Sequence, residues 1–470
     1  MKDLQSFAAQ LARELPEEIV RVSRGPLSPA EGECVAILHH LFGQGRRPLA
    51  VFEHVTTLAG DRWPGSVAFQ VDGTWSKFGA GYGLPRERLT PLHVEVETAK
   101  RAGRPFAPVV VNPGEAPVKQ RVLRAPEISF FDLPGYRGNE KDARPGWLTG
   151  VIVGKDPDDG RYNTSWHRAM IVSPSRASCK MEPRDMWRIV MKYRERGEDR
   201  VPFAQVFGHH PQFGLAAALR PGQDMDEYAF AGGLLGEPLR ITPSETWGED
   251  LMIPADAEVV MEGYISTRER ELCGPWVDMQ RYYAPQTLEP AITLTAVNMR
   301  ESPMFQAIWV GQGIYTEVAT GSYLRHLLAS RFPTVGAINF AAPGVIVVQF
   351  HPTRKGDVGR LVGLAHSYAD LVKHVIVVDD DVDPFDLSSV MWAMGTRVDA
   401  NRQTYVVPNL SPLGRQDPSA SGAAGTASGV DAAVGGLVID STRAVGEAYD
   451  EIGHPAPDVL DRVRLEEYLP

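Results

Sequence analysis

The sequence predicts a mixed α/β protein with three regions: a small α/β region over residues 1–105, a β-rich region over 106–305, and a second α/β region over 306–470. Three observations favour this organisation. The chain has 470 residues, too many for one small core. Its middle third contains many short β-rich segments separated by turns. Its last third alternates apolar runs with segments at helical spacing.

The first region begins with an amphipathic helix. Apolar residues recur at helical spacing from Leu4 to Leu15, after Asp3, which can cap a helix N-terminus. Residues 48–53 and 69–72 then resemble strands and are followed by turns rich in glycine and proline. This pattern predicts a small α/β unit.

The middle region is dominated by short strands. The predicted strands cover residues 108–112, 148–154, 168–172, 203–207 and 257–265, with one helix over 185–196. Short strands with frequent turns favour a barrel or a sandwich over a doubly wound sheet. We expect the apolar run 291–297 to close this structure.

The last region alternates helices and buried strands. Residues 344–350 and 374–378 are continuous apolar runs, typical of strands buried on both faces, and 323–331 and 359–372 have helical spacing. The second run ends in an acidic segment, 379–383, which could bind a cation. We favour the alternative that these acids cap the helix starting near Asp386, because negative charge is favourable at a helix N-terminus. The Gly, Ala and Ser-rich segment 414–436 predicts a loop.

Composition excludes several classes of function. The net charge of −11 argues against a broad basic surface for nucleic acid. No segment approaches the ~20 apolar residues of a membrane helix, and the N-terminus lacks the apolar core of a signal peptide. The cysteines Cys34, Cys179 and Cys273 form no C-x-x-C pair, so we expect a cytoplasmic protein with neither nucleic-acid nor membrane partners.

Two polar segments form the most informative pattern. Asn163 offers an amide oxygen and Arg168, five residues later, a fixed cation, while Glu227 stands at the head of an apolar, glycine-rich run. With the intervening Glu182, these oxygens suit Mg²⁺ or Mn²⁺. The alternative is that Asn163 caps a turn and both glutamates are solvated, and spacing alone favours this alternative.

Other candidate residues also have two interpretations. Arg168 lies in an apolar strand, where it could pair with a structural acid or clamp a carboxylate or phosphate; the residues leave both open. His209 and His210 could bind a metal, but adjacent side chains on an extended chain point in opposite directions, which favours a turn. Cys273 could be a nucleophile, but with no histidine nearby in sequence a buried, inert thiol is favoured.

Several blocks in the same order resemble the UbiD-type decarboxylases, which use prenylated FMN. The resemblance extends from about residue 110 to 410. The blocks are 149–153 with 156–160, 163–168, 206–211, 226–232, 253–263, 274–275 with 282–283, and 379–383 with 392–393 and Arg397. Several blocks at family spacing are more specific than any single motif.

The resemblance implies a central split β-barrel that holds the flavin and a C-terminal region used in oligomerisation. It implies reversible, non-oxidative decarboxylation of an α,β-unsaturated, aromatic or heteroaromatic acid. Arg168 matches the catalytic arginine, and Asn163 and Glu227 match ligands of Mn²⁺ (or Mg²⁺) beside the flavin phosphate, where K⁺ also binds in the family. The residues that match the cofactor site are Thr149, Asn163, Thr164, Ser165, Trp166, His167, Arg168, Leu219 and Glu227.

Two departures from the family pattern concern the site itself. The third metal ligand is usually a histidine; Glu182 stands near that position, with Asp185 as the alternative. The family's first acid is replaced by Cys273, and the second survives as Asp278. Asp278 and Glu271 are therefore the candidate proton donors and Cys273 a weaker one. A small thiol here would enlarge the pocket, which predicts a bulkier substrate.

The implied partners are a small carboxylic acid substrate, a separate flavin prenyltransferase that supplies the cofactor, and further copies of this chain in a homodimer or larger oligomer. Two alternatives remain open. The chain could be a catalytically silent flavin-binding homologue, or a carboxylase subunit that is active only with partners.

Overall fold

The protein is described from a computed structural model, which defines residues 2–222, 224–368, 371–411, 417–420, 433–450, 452–453, 455–464 and 467. The strands are β1 Ile19–Val22, β2 Leu49–Phe52, β3 Ser66–Phe69, β4 Val109–Val110, β5 Arg121–Arg124, β6 Trp147–Lys155, β7 Tyr162–Ile171, β8 Arg176–Cys179, β9 Arg200–Phe207, β10 Arg240–Ser244, β11 Gly248–Pro254, β12 Val259–Cys273, β13 Trp276–Val277, β14 Tyr283–Ala284, β15 Thr287–Met299, β16 Met304–Gln306, β17 Val335–Ala342, β18 Gly344–Phe350, β19 Val372–Val378, β20 Thr404–Leu410 and β21 Val434–Ser441. The helices are α1 Leu4–Glu14, α2 Glu33–Gly43, α3 Trp75–Tyr82, α4 Pro91–Ala102, α5 Asp185–Glu195, α6 Pro211–Ala216, α7 Glu227–Leu235, α8 Tyr315–Ala329, α9 Asp357–Tyr368, α10 Leu387–Arg397, α11 Ala400–Gln403 and α12 Pro457–Arg462.

The N-terminal region is a small α/β unit, as its pattern predicted. Its sheet has the order β1-β2-β3-β16. The predicted first helix is α1: Asp3 caps it by accepting a hydrogen bond from the Ser6 amide at 2.7 Å, and its apolar face is buried. The edge strand β16 comes from residues 304–306, just after the barrel, and pairs in parallel with β3. The chain therefore returns to its first unit before it enters the C-terminal region.

The central region is a closed barrel of six strands. The order β12-β9-β6-β7-β8-β15 is closed by pairing of β12 with β15, and β5 extends β15 outside the ring. This confirms the predicted split β-barrel, including the closing role of residues 291–297. In the antiparallel β6–β7 pair, Thr149 lies opposite Arg168 and Gly154 opposite Asn163. Strand β7, which carries most of the candidate residues, is thus hydrogen-bonded to a neighbouring strand on each side.

The C-terminal region is a five-stranded sheet with the order β17-β18-β19-β21-β20. Its central strands β18, β19 and β21 are parallel and its core is apolar. The acidic segment after β19 is held by cations: Asp379 bonds Arg443 at 2.9 Å and His351 at 2.8 Å, and Asp381 bonds Arg397 at 2.7 Å. Asp386 caps α10, as the capping interpretation of this segment predicted.

Two further observations concern the described part of the chain. None of its helices has the length and apolar character needed to cross a membrane. The predicted loop 414–436 falls largely outside the described residues, because 414–416 and 421–432 are not among them.

Candidate active site

A cavity of about 580 Å³ opens between the barrel and the C-terminal region. Strand β7, helix α8, the segment after α6 and the β13–β14 hairpin contribute to its wall. It brings together most of the residues predicted from the sequence. Those that line it are Thr149, Asn163, Thr164, Ser165, Trp166, His167, Arg168, Glu182, Leu219, Glu227 and Asp278.

Glu227 and Asn163 meet at one side of this cavity. The Glu227 carboxylate accepts hydrogen bonds from Asn163 Nδ2 at 2.9 Å, from the Thr164 amide at 2.6 Å and from Thr164 Oγ1 at 3.0 Å. Asp226, the N-cap of α7, accepts a further bond from the Tyr162 amide at 2.9 Å. The start of α7 is therefore fastened to β7. Burial raises the pKa of Glu227 to about 7.

A row of polar side chains on β7 fixes the orientation of Asn163. His167 Nδ1 lies 3.0 Å from the Lys180 carbonyl, which only accepts, so Nδ1 carries the proton. His167 Nε2 then accepts from Ser165 Oγ at 2.8 Å. Burial lowers the pKa of His167 to about 4, which keeps the ring neutral. Asn163 Nδ2 donates to Glu227, and Asn163 Oδ1 lies 3.4 Å from Ser165 Oγ, so this amide oxygen is the atom that could bind a cation.

This side of the cavity has the donor chemistry of a divalent metal site. The hydrogen-bond partners of Glu227 are an amide, a hydroxyl and a peptide group rather than a cation. A buried carboxylate held by neutral groups gains from a nearby positive ion. Carboxylate and amide oxygens are ligands that Mg²⁺ and Mn²⁺ prefer. The residues present therefore fit such an ion.

The two candidates for a third ligand differ in their surroundings. Glu182 is bound to Lys180, with Oε1 and Nζ 2.6 Å apart. Asp185, the first residue of α5, also lines the cavity, and its negative charge contributes to the raised pKa of Glu227. Arg188 Nη2 lies 3.4 Å from Asp185 Oδ1, and both side chains are partly exposed. The carboxylate of Asp185 is thus the less firmly held of the two.

Arg168 is bound to the β13–β14 hairpin. Its guanidinium donates to Asp278 Oδ1 at 2.9 Å and to the Val277 carbonyl at 2.8 Å. The Trp276 ring centroid lies 5.7 Å from the guanidinium carbon. The structure therefore joins the two interpretations of Arg168: it is paired with an acid, and that pair lies in the wall of the cavity.

Glu271 and Cys273 lie away from this cavity. Glu271, on β12, bonds Arg176 Nε at 3.0 Å and does not belong to the cavity wall. Cys273 is fully buried in a small apolar cluster with Trp147 and Met170, where burial raises its pKa to about 11. Since neither residue lines the cavity, the structure favours Asp278 over Glu271 and Cys273 as the proton donor, and it offers no support for a pocket enlarged by the thiol.

The remaining predicted residues shape the cavity. Trp166 Nε1 donates to the Gly214 carbonyl at 2.7 Å, which packs α6 against β7. Leu219 is 6% exposed and belongs to the apolar part of the wall. Thr149 Oγ1 lies 2.7 Å from the Tyr136 hydroxyl, and Thr149 is the cross-strand partner of Arg168. His210 immediately precedes α6, and both histidines of the pair are buried.

Six charged residues of the wall were not found by sequence reasoning: Asp72, Lys180, Arg184, Arg220, Arg281 and Glu317. Lys180 follows β8 and its amide bonds the Arg168 carbonyl at 3.2 Å, so it becomes visible only once β7 and β8 are paired. Asp72 and Glu317 are 245 positions apart in the chain. The one local feature of the sequence that could have pointed to Asp72 was Gly313, which lies two residues before α8.

Family models match most of the described barrel and C-terminal region. The UbiD model, described as a 3-octaprenyl-4-hydroxybenzoate carboxy-lyase Rift-related domain, matches residues 109–313. The model of the UbiD C-terminal domain matches residues 316–440. Together they span more than half of the chain.

Individual relatives agree with these matches. A phenolic acid decarboxylase of Escherichia coli O157:H7 is 31% identical over 416 residues, 84% of this chain and 83% of the relative. The structure of the UbiD-class enzyme HmfF from Pelotomaculum thermopropionicum with FMN superposes with a TM-score of 0.86 at 26% identity, covering 99% and 100% of the two chains. An evolved dimeric form of HmfF with prFMN gives 0.84 at 25% identity, covering 100% of each. This chain therefore belongs to the UbiD family of carboxy-lyases.

Proposed function

We propose that the protein decarboxylates an aromatic or α,β-unsaturated carboxylic acid, reversibly and without net oxidation, with prenylated FMN and a divalent metal. The observation that carries this proposal is the Arg168–Asp278 pair in the wall of a cavity that also contains Asn163 and Glu227. This cavity would combine Arg168 as a clamp for a carboxylate and Asp278 as a proton donor with Asn163 and Glu227 as metal ligands. The relative from Escherichia coli is a phenolic acid decarboxylase, which supports an aromatic acid as substrate.

The cofactor would lie along β7. The structural relatives bind FMN and prFMN, which supports a flavin in this cavity. Residues from Thr164 to Arg168, with Thr149 and Leu219, would contact it, and Asn163 and Glu227 would hold Mn²⁺ or Mg²⁺ beside its phosphate. When bound, prenylated FMN supplies an electron sink for the pair released when the bond to CO₂ breaks. We assign no residues to a K⁺ ion.

For the third metal ligand we propose Asp185 ahead of Glu182. Glu182 would have to leave Lys180, to which it is bound at 2.6 Å. Asp185 is already near enough to Glu227 to disfavour its charged form. A metal between these carboxylates would remove that repulsion.

Arg168 would hold the substrate's carboxylate and Asp278 would supply the proton. A guanidinium binds a carboxylate through two parallel hydrogen bonds, so a substrate acid is a competitor for the position that Asp278 occupies. Once displaced, Asp278 is free to act as the proton donor. As CO₂ leaves, the electron pair returns to the substrate carbon and Asp278 transfers its proton there, which balances the reaction. Solvent then restores the proton of Asp278.

The experiment that tests this function is expression together with a flavin prenyltransferase, followed by mass spectrometry of the released cofactor, metal analysis and an assay of CO₂ release from a panel of aromatic acids. We expect prenylated FMN, one divalent ion per chain, and turnover that Arg168→Ala abolishes. Flavin binding without turnover of any acid would favour the silent homologue. Activity that appears only with a co-purifying protein would favour the partner-dependent carboxylase.

We also propose that the chain forms a homodimer or larger oligomer through its C-terminal region. Helix α10 exposes three large apolar side chains, Leu387 (51%), Met391 (62%) and Trp392 (41%), a pattern typical of a covered surface. Light scattering of the wild-type protein and of Met391→Lys tests this: the variant should have a lower molecular mass at equal concentration.

A further inference from the structure

The β13–β14 hairpin, which leads into Asp278, depends on its surroundings for its position. Its strands have two residues each, and they pair with no other strand among the residues that the structure describes. A two-stranded hairpin alone is at best marginally stable in water. Trp276 and Ala284 of the hairpin belong to a buried apolar cluster that also contains Trp147. Asp278 lies beyond this cluster, in the turn after β13.

Residues 137–146 form a loop that lies against this hairpin. The loop is closed at its root, because the residues on either side of it exchange backbone hydrogen bonds of 3.0 and 2.9 Å. The Ala143 amide donates to the Pro275 carbonyl, just before β13, at 2.9 Å. The Lys141 amide donates to the hydroxyl of Tyr283, in β14, at 3.0 Å. The loop therefore contacts both sides of the hairpin.

Asp142 of this loop bonds the residue next to Asp278. Asp142 Oδ1 accepts a hydrogen bond from the Val277 amide at 3.2 Å. The Val277 carbonyl accepts from Arg168 Nη1 at 2.8 Å, and Arg168 Nη2 donates to Asp278 at 2.9 Å. A path of three hydrogen bonds thus leads from the Asp142 carboxylate through Val277 to the guanidinium and the candidate proton donor.

The other carboxylate oxygen of Asp142 bonds its own loop. Oδ2 accepts from the Gly138 amide at 3.0 Å, from the Asn139 amide at 2.9 Å and from Asn139 Nδ2 at 3.2 Å. The side chain is buried, with 8% of its surface exposed. One oxygen therefore serves the loop and the other serves the hairpin, and the carboxylate holds the two together.

Tyr136, at the root of the loop, lies within the electrostatic reach of both Asp142 and Arg168. Burial raises the pKa of Tyr136 to about 12, while the charge of Arg168 lowers it and that of Asp142 raises it. The Tyr136 hydroxyl also lies 2.7 Å from Oγ1 of Thr149, the cross-strand partner of Arg168. The loop and β7 are thus joined beside Arg168 as well as through the hairpin.

The contact from Asp142 matters most when a substrate is bound. A substrate carboxylate on Arg168 would take the place of Asp278, and the ion pair would no longer hold the acid. The bond between Asp142 and the hairpin does not involve Arg168 and remains. It would then fix the backbone next to the acid while the proton is transferred.

We propose that Asp142 is a positioning residue, which holds the hairpin so that Asp278 stays near Arg168 and the substrate carbon. This inference rests on the proposed function and adds a residue to it. Asp142 does not line the cavity, so it acts through the hairpin. A role confined to its own loop would account for the bonds to Oδ2 and leaves the bond between Oδ1 and Val277 unexplained.

The variant Asp142→Asn separates the two contacts of this carboxylate. Its single accepting oxygen can serve the three donors of the loop, and its NH₂ group then faces the Val277 amide, donor against donor. With an acid that the wild-type holoenzyme turns over, kcat should fall about tenfold and KM should change much less, because one hydrogen bond to a charged group is lost. Asp132→Asn is the matched control and should keep the wild-type kcat, since Asp132 bonds Ser129 in another turn.

A double-mutant cycle distinguishes positioning from a general loss of stability. Adding Asp142→Asn to Asp278→Asn should change kcat less than about twofold, because a hairpin without its acid has no proton to place. A merely structural loss would lower kcat by the same factor in both backgrounds.

Hydrogen exchange measured by mass spectrometry gives a second readout that needs no turnover. In Asp142→Asn the amides of residues 274–284 should exchange faster than in the wild type, whereas those of the barrel strands should not change. Should this variant not fold, Tyr283→Phe decides: it removes only the hydroxyl that accepts from Lys141. It should accelerate the same exchange and lower kcat by a smaller factor.

Two results with an active wild type would overturn this inference and leave the proposed function intact: an unchanged kcat in Asp142→Asn, or an equal loss in both backgrounds of the cycle. A wild-type protein with neither flavin nor CO₂ release would instead refute the proposed function. In that protein, faster exchange of residues 274–284 would still support Asp142 as the anchor of the hairpin, and unchanged exchange would overturn it.

Discussion

Arg168 and Asp278 form an ion pair of 2.9 Å across the opening between the barrel and the β13–β14 hairpin. The cation that would receive a substrate carboxylate is therefore already occupied by the acid that would later donate the proton. Substrate binding and release of the acid would then be one event. The guanidinium would keep a carboxylate partner throughout this exchange, and the displaced Asp278 would become available as the proton donor.

The variant Asp278→Asn separates the pairing of this residue with Arg168 from its role as proton donor. The asparagine can still bond Arg168 but cannot deliver a proton, so kcat for CO₂ release should fall about 10²-fold or more, the usual contribution of a general acid. Substrate affinity should be unchanged or higher, because the competing charge is gone. Steady-state kinetics together with equilibrium binding measure both. A kcat equal to that of the wild type would assign proton transfer to another group.

Loss of the metal is expected from Glu227→Gln, and a pair of variants identifies the third ligand. Asp185→Asn should lower the bound Mn²⁺ at least tenfold, whereas Glu182→Gln should leave it nearly unchanged, since Glu182 is engaged with Lys180. Metal content after dialysis, measured by plasma mass spectrometry, gives the answer without requiring turnover. The reverse ranking of the two variants would make Glu182 the ligand.

Cys273→Ala should affect stability rather than catalysis. The thiol is fully buried among Trp147, Met170 and Trp276, so its removal leaves a small void that costs on the order of 1 kcal/mol. Denaturant unfolding should reveal this loss, and kcat should match the wild type. A large fall in kcat at unchanged stability would instead restore Cys273 as a candidate acid.

Because of the buried Glu95, we expect the free energy of unfolding to decrease at alkaline pH. This residue is fully buried in α4, accepts a bond from the Ile338 amide at 3.3 Å, and has a pKa raised by burial to about 8. Between the unfolded pKa near 4.5 and the folded value near 8, the folded chain keeps a proton that the unfolded chain loses. Stability therefore falls as pH rises through this window.

Glu95→Gln should remove this part of the pH dependence. Thermal unfolding from pH 5 to 9 should show a smaller decrease in Tm for the variant than for the wild type. The exposed Glu301→Gln serves as the matched control and should follow the wild-type curve. Parallel curves for all three proteins would mean that Glu95 is not the group responsible.

The sequence alone determined the fold class and several elements, although the strand predicted over 69–72 is found at 66–69. Helical spacing from Leu4, the apolar run 344–350 and the β-rich segments of the middle region each correspond to an observed helix or strand. These patterns are local, because a segment must present its apolar side chains at the period of its own backbone. The family resemblance added the cavity residues of β7, which are contiguous in the chain.

Only the tertiary structure decided which charged groups meet. Glu271 and Cys273 stand within a few positions of Asp278, yet strand direction and the hairpin place Asp278 in the cavity wall and the other two outside it. Asp72 and Glu317 lie in different regions and become neighbours only because residues after the barrel return to the N-terminal sheet through β16. Such contacts depend on the packing of distant segments, and spacing along the chain carries no information about them.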